Sequence, residues 1–382
     1  MKFEASGNYE KMDQRTLEGG TAVAWISREA EDLCWDKFLQ ETPLGQFQQS
    51  TMWARAKHSE GWKPVRVVVT VEEEIVAGFQ ILWQSLWHGR MGYVSKGPVV
   101  WPGHHGLAEY ATALLQKLCR EERLRALVVQ PPDLCVQMSE ALACNGFMPN
   151  MFAKVNDATW ILDLGDGFDA VEQRMRTEKR RVARQAVKLG VSVREGDRRD
   201  LGTFFELMLS TCRRQGVEPN PRDMSSLLAL WDAAEPGGCI LLFFAEYEAK
   251  PLAGLLCITF GNRFTLWKKG WSSTEGHRHP NDLAHYEALK WACLSGYQFG
   301  DFAAFDKQMA VAILSGKELS PEQGRTRHIF NAHFGGSPRL LPAARVYFPN
   351  PLLRSAYRMF FYKKIRQAEE ACKLGRGVEA LR

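Results

Sequence analysis

The feature that most constrains this chain is an order of elements that runs twice along it. In the second half, Cys239–Tyr247, Pro251–Phe260 and Phe264–Trp271 are three β-rich runs separated by short turn segments, the pattern of a strand meander. Helical runs precede it: Asp169–Leu189 stopped by Gly190, Leu201–Arg214 by Gly216, and Asp223–Ala234 by Gly237-Gly238, with Val191–Arg194 as a strand. A helix, Leu283–Leu294, capped by Asn281 or Asp282 and closed by Gly296, and a strand, Tyr297–Phe302, follow it. The first half reads similarly. Thr21–Ile26 is a strand, Ser27 an N-cap and Arg28–Gln40 a helix, and then Val65–Val71, Ile75–Trp83 and Arg90–Val100 form a meander. Leu107–Arg123 is an amphipathic helix with Leu107, Tyr110, Leu114, Leu115 and Leu118 on one stripe. Arg125–Gln130 is a strand, Leu134–Cys144 a helix ended by Asn145-Gly146, and Thr159–Leu164 a strand. The class is α/β (α+β), with mixed sheets and flanking helices in two units.

The 382-residue length suits two domains. The expected boundaries are a flexible tail over 1–20, a first domain over 21–160, a second over 161–346, and a C-terminal helix from 347 to 382 that packs back on the body. That helix is mixed apolar and basic, so association with a membrane surface is its other reading. No apolar run approaches the roughly 20 residues that span a bilayer, and the N-terminus has no apolar signal region, so a cytoplasmic location is expected. None of the nine cysteines forms a CxxC pair, which points to free thiols rather than disulfides or zinc. Scattered histidines without a carboxylate cluster give no metal site. His285, His328 and His333 read as structural.

Net charge is only +5, yet seven basic residues and one acid fall between Arg174 and Lys188. Helical spacing puts Lys179, Arg180, Arg184 and Lys188 on one broad side, an electrostatic footprint for RNA phosphates. There is no Walker loop, and Gly165-Asp166-Gly167 lacks the further glycine of a dinucleotide fingerprint. Two stretches stand out for chemistry. Thr42–Trp62 joins a Pro43/Gly45 turn to a helix-like run with Trp53 and Lys57, and Arg327–Gly336 carries Phe330-Asn331.

Six pieces occur in the order seen in FemABX-type aminoacyltransferases: TPLGQFQQSTMWARAKHSEGW, MGYVSKGPVV, RTEKRRVARQAVKLGV, STCRRQGV, RHIFNAHFGG and FPNPLLRSAYR. The resemblance covers about residues 22–360. It implies two GNAT-like domains in tandem with the site in the cleft between them. The implied reaction moves an amino acid from aminoacyl-tRNA to an amine of a peptide, peptidoglycan precursor or natural product. No cofactor is implied beyond the tRNA co-substrate. By position, Lys57 and Arg214 match residues that contact the acceptor's phosphates, and Tyr93 and Lys96 match a cleft wall. Trp53 and Phe330 lie within the matched pieces and join the substrate-binding set. The tRNA set is Lys179, Arg180, Arg184 and Lys188, with no stable DNA binding.

The departures bear on the chemistry. The family commonly has Phe-Lys where this chain has Phe330-Asn331, and that lysine stabilises charge at the reacting carbonyl. Asparagine can donate a hydrogen bond there without positive charge. Asn331 is the candidate oxyanion donor, and Asp301, at a strand end, the candidate base or orienter. Trp101 replaces an acid, Lys268 an aromatic, and Asp301-Phe302-Ala303-Ala304 a DLGG-like segment. No helical-hairpin insertion or coiled-coil arm interrupts the second domain. Amide formation from an activated ester is driven largely by positioning, so the absence of a catalytic triad fits. The alternatives are acyl-CoA-dependent N-acyltransfer in polysaccharide or secondary metabolism, and a catalytically silent binding protein. For CoA the donor loop would be Ser272–Asp282, with His277, Arg278 and His279 as anion contacts and the Asp282 carboxylate competing with phosphate at the helix start.

Overall fold

The computed structural model of the chain describes residues 3, 9–18, 20–87 and 89–368. The remaining positions of the expected tail, and residues 369–382 of the expected terminal helix, lie outside them. The chain divides into two compact units, one from Met1–Ala54, Gly61–Val155 and Pro342–Arg382, the other from Arg55–Glu60 and Asn156–Leu341.

The first unit holds a nine-stranded sheet. Its strands are β1 (Glu10–Leu17), β2 (Gly20–Ser27), β3 (Lys63–Val71), β4 (Glu74–Leu86), β5 (Gly89–Ser95), β6 (Val99–Val100), β7 (Leu124–Gln130), β8 (Met148–Pro149) and β16 (Arg345–Tyr347). The order is β1-β2-β3-β4-β5-β7-β16-β8, with β6 on β4. The strands run antiparallel except for β5 and β7, which are parallel. Parallel neighbours need a long crossover, and the helix Leu107–Glu121 lies in it. Its apolar stripe packs with Val67, Val69, Phe79 and Ile81. Between β3 and β4 a two-residue loop, Glu72-Glu73, has both residues at positive φ, matching the twist of the hairpin.

The stretch at Thr42–Trp62 earns its place here through buried hydrogen bonds. Gln49 is fully buried: its Nε2 donates to Ser95 O at 2.7 Å, and its Oε1 accepts from Gln80 N at 2.7 Å. Gln80 Oε1 accepts from Arg66 Nη2 at 2.9 Å, and Arg66 Nη1 donates to Asp32 at 3.2 Å. A buried polar network of this kind, which leaves Arg66 Nε without a partner, fixes one arrangement of the core.

The second unit repeats the plan. Its strands are β9 (Ala158–Asp163), β10 (Ser192–Gly196), β11 (Ile240–Tyr247), β12 (Lys250–Phe260), β13 (Arg263–Trp271), β14 (Phe299–Asp301) and β15 (Ser337–Leu340), in the order β10-β11-β12-β13-β14-β9-β15. Here too an antiparallel meander leads into one parallel pair, β13 with β14, joined through the helix Pro280–Leu294. Both units therefore carry the tandem mixed-sheet architecture expected, and the longest helices among the described residues have 15 residues, with no inserted arm.

Several elements differ from expectation. Glu10–Leu17 is a strand rather than a tail, because a polar edge strand needs only its backbone partners on β2. The expected second domain ended at 346, yet Arg345–Tyr347 inserts between β7 and β8 in the first unit. Asp169–Leu189 is two helices, Phe168–Arg174 and Thr177–Lys188, separated where buried Met175 turns extended and Arg176 N donates to His333 O at 2.9 Å. Arg90–Val100 divides into β5 and β6 around Lys96 at φ 56. Among the described residues no helix is long and apolar enough to cross a membrane.

Candidate functional site

In the second unit the chemistry gathers around β13. Trp267 is an extra residue opposite β12, where the register steps from Leu256–Lys268 to Cys257–Leu266. A bulge of this kind re-aims neighbouring side chains. Lys268 and Lys269 follow it. Burial, then the charge of Lys57, and also Arg327, bring Lys268 down to about 8. Burial, then Arg327 and Lys179, bring Lys269 down to about 8 as well.

Lys269 reaches the residue singled out for its departure from the family. Its Nζ donates to Asn331 Oδ1 at 3.2 Å, and Asn331 is itself buried. Phe330 lies beside both, with Lys269 Nζ 4.9 Å and Lys179 Nζ 3.7 Å from its ring centroid. Each is a cation–π distance. Lys179 also pairs with Asp282 in the first turn of the helix Pro280–Leu294. Phe330 and Phe334 pack against His285, whose Nδ1 meets Asn281 O at 2.7 Å. Burial, with Lys269 nearby, lowers His285 to about 3, so it stays neutral and structural. His328 Nδ1 and His333 Nε2 are buried without hydrogen-bond partners, and desolvation lowers both rings.

Other predicted residues fall on the same unit. Lys57 Nζ donates to Glu60 Oε1 at 2.6 Å and lies close enough to act on Lys268. Arg214 donates to Ser273 Oγ and stacks 4.5 Å from the Trp271 ring. Arg327 Nη1 donates to Gln215 Oε1 at 3.1 Å. Lys57, Lys268, Lys269 and Arg327 are thus linked by mutual electrostatic influence, an array suited to an anionic ligand. Lys269, Lys268 and Arg327 were not among the sequence-derived site residues. Two consecutive lysines in the otherwise apolar run Phe264–Trp271 were the available signal.

Three predicted roles need correction. Asp301 is buried, and both its oxygens are committed: Oδ2 accepts from Arg263 Nη1 at 2.8 Å, Oδ1 from Ala303 N at 2.8 Å and from Thr159 Oγ1. It clamps β14 to β9 and β13, a structural commitment of both oxygens. Lys96 is buried in an ion pair with Asp133 at 2.7 Å, which makes it structural rather than a wall of a substrate site. Lys179 is buried against Phe330 and Asp282, so it leaves the outer face of its helix. Arg180, Arg184 and Lys188 remain outside with Arg181 and line a groove of about 500 Å³. Trp53, on the first unit, packs edge-on against Phe47 at 5.1 Å. Tyr93, also there, is half-buried against the Ala126 and Val128 cluster, and burial raises its phenol.

Among the described residues no group of three or more His, Cys, Asp or Glu is placed to hold a metal.

Comparison with known proteins finds the following likenesses. Residues 31–160 match the FemAB family, and residues 172–308 match the acetyltransferase (GNAT) domain. The lipid II:glycine glycyltransferase of Staphylococcus saprophyticus is 27% identical over 233 residues, 58% of this chain and 56% of that protein. The same-named protein of Staphylococcus aureus strain MRSA252 is 27% identical over 230 residues, 56% of this chain and 53% of that protein. The chain thus spans little more than half the length of the curated relatives it matches. A crystal structure of FemX superposes with a TM-score of 0.71 at 20% identity, covering 84% of this chain and 96% of that one, a likeness of fold. With a FemAB-family match in one half, a GNAT-domain match in the other and the fold of FemX, the chain is similar to FemABX-type proteins with GNAT-like domains in tandem.

Proposed function

We propose that the chain is an aminoacyltransferase that forms an amide between an amino acid carried by aminoacyl-tRNA and an amine of a peptide, peptidoglycan-precursor or natural-product acceptor. The observation that carries this reading is the Lys269–Asn331 pair. Accepting from Lys269 at Oδ1 commits the Asn331 amide to one orientation and leaves its Nδ2 hydrogens as donors. The ammonium behind the amide supplies the positive charge that asparagine lacks. Such a pair suits an oxyanion donor.

In the reaction the neutral amine attacks the ester carbonyl carbon and a tetrahedral oxyanion forms. Collapse breaks the bond to the tRNA ribose oxygen, which leaves as an alcohol with the proton lost by the amine. Asn331 stabilises the oxyanion, and Lys57, Arg214 and Lys268 bind phosphate or another anion of the acceptor. The groove of Arg180, Arg181, Arg184 and Lys188 receives tRNA phosphates. The names of the relatives, lipid II:glycine glycyltransferases, support an aminoacyl donor and a cell-wall precursor as the first acceptor to try. The cytoplasm, where charged tRNA resides, is the proposed location.

One observation favours acyl-CoA as the second reading. The Asp282 carboxylate is taken up by Lys179, so it competes less for phosphate at the helix start. The deciding experiment is equilibrium binding to a charged-tRNA pool with acetyl-CoA in parallel, at several salt concentrations. Salt-sensitive tRNA binding that weakens in an Arg180→Ala, Arg181→Ala, Arg184→Ala, Lys188→Ala variant supports the aminoacyl reading. CoA binding alone moves the protein to the acyl-CoA enzymes, and tRNA binding without turnover for any donor makes it a silent binding protein.

A further inference from the structure

One end of the first unit's sheet gathers groups that the transfer chemistry does not use. β4 ends at Leu86, β5 begins at Gly89 opposite it, and β7 begins at Leu124 alongside Arg90. β16 runs antiparallel to β7, so its last residue, Tyr347, heads for the same end. Arg90 Nη1 donates to Glu122 O at 3.0 Å, tying the hairpin to the turn before β7. A Cβ on Gly89 would meet Arg125 Cδ at 3.4 Å. Trp87, at the tip of that hairpin, is 96% exposed.

Next to the tip lies a pocket of about 590 Å³ lined by Arg120, Arg123, Arg125, Pro349, Asn350 and Leu353. Arg120 Nη1 donates to Tyr347 Oη at 3.2 Å. Of the two acids on this turn, Glu122 is buried against Arg28, and Glu121 is exposed. The helix Pro351–Phe360 starts at the pocket rim, capped by Asn350. Its inner side is spoken for: Tyr357 Oη donates to Pro149 O at 2.8 Å, accepts from Met151 N at 2.8 Å, and the ring packs on Phe348 and Phe361. At 100° per residue, Leu352, Ala356 and Met359 share the opposite side, and Phe360 lies on the flank between it and the inner face. Leu352, Met359 and Phe360 are 78%, 79% and 82% exposed, and exposed Lys363 and Lys364 follow on the next turn.

We infer that this end of the sheet is a docking surface for an anionic phospholipid bilayer. A helix already anchored by one apolar face has no packing reason to carry a second on its outer side. Charge complementarity decides the occupant. The arginine pocket, Arg358, Lys363 and Lys364 surround the ridge with positive charge, the composition of a helix lying in a lipid interface. Trp87 suits the headgroup level, where an indole keeps its ring apolar and its N–H wet. Leu352, Met359 and Phe360 enter the acyl boundary, and the arginines take lipid phosphates.

The test is co-sedimentation of the purified full chain with phosphatidylcholine vesicles and with vesicles also containing phosphatidylglycerol. Preferential, salt-sensitive binding to the anionic vesicles is expected. Arg123→Gln with Arg125→Gln should weaken it about fivefold per charge. Leu352→Ser with Met359→Ser and Phe360→Ser should weaken it by roughly a hundredfold, with circular dichroism and thermal unfolding unchanged because all three are exposed. Equal recovery with both vesicle types, or no binding to either, overturns the inference. So does an apolar variant that changes only self-association by ultracentrifugation, which would make the ridge a contact between two copies. Vesicle binding needs neither donor nor acceptor, so its outcome is separable from that of the proposed transfer.

Discussion

Lys269 Nζ stands 3.2 Å from Asn331 Oδ1, so the positive charge missing from position 331 is delivered from the neighbouring strand. The two residues are 62 apart in sequence, and only the bulged β13 brings them together. This relationship ties charge, orientation and reactivity into one unit, and variants of either residue should behave as a pair.

Lys269→Met should lower the rate of transfer by about a hundredfold or more while tRNA binding holds, as expected when an oxyanion donor loses its support. Asn331→Lys alone sets a second ammonium against Lys269 and should cost about 1–3 kcal/mol of stability through like-charge repulsion and desolvation. Combining the two substitutions removes the repulsion and should recover both stability and part of the rate. A double-mutant cycle with urea unfolding and a transfer assay reads this. Additive losses in the combined variant would falsify the pairing.

The pH dependence follows from the depressed lysine. Lys269 titrates near 8 in the folded chain, below the ordinary lysine range. If the ammonium supports the oxyanion, kcat falls as pH rises through about 8, and this limb disappears in Lys269→Met. Stability runs the other way. Below about 8 the group is charged in both states and burdens the fold; above it the native state sheds its proton before the unfolded chain does, so stability rises until the ordinary lysine range is reached. Denaturant midpoints measured on either side of that pH, in the native chain and in Lys269→Met, test the sign.

Gln49→Ala should destabilise the first unit by roughly 2–4 kcal/mol, because it strands Gln80 N–H and Ser95 C=O inside the core. Binding at the Arg180–Lys188 groove, on the other unit, should be unchanged. A near-neutral effect on the urea midpoint would mean water replaces the side chain.

Gly336→Ala should be among the most damaging single changes in the second unit. Gly336 sits at φ +85, and an added Cβ would lie 2.2 Å from Ile161 O, the backbone of the strand that β15 pairs with. The added methyl needs both left-handed backbone and displaced main chain, costing on the order of 3 kcal/mol or more. Limited proteolysis and thermal unfolding would register the loss of the β15–β9 pairing.

Period-2 and helical patterns carried the meanders and crossover helices, so the two-unit plan could be read from the chain. What escaped was set by partners far away in sequence. Asp301 looked like a candidate base at a strand end, but Thr159 and Arg263 use up its oxygens, and no local pattern encodes that. Lys179 belonged by spacing to a basic face, yet the break at Met175 and the nearness of Phe330 and Asp282 draw it inward. Lys96 likewise looked accessible until Asp133 is seen beside it. Lys268 and Lys269 were visible as an oddity in an apolar strand, and what they do depended on Arg327 and Asn331 arriving from another helix.

The placement of β16 has a consequence for how the chain is made. Synthesis delivers β7 and β8 early, but the strand that fills the gap between them comes some 200 residues later, after the whole second unit has emerged. Until then Leu127–Val129 presents an unpaired backbone edge, the kind of edge that invites foreign strands. The first unit to leave the ribosome is therefore the last to be finished, and a nascent chain stalled before Arg345 carries an open seam for as long as the stall lasts.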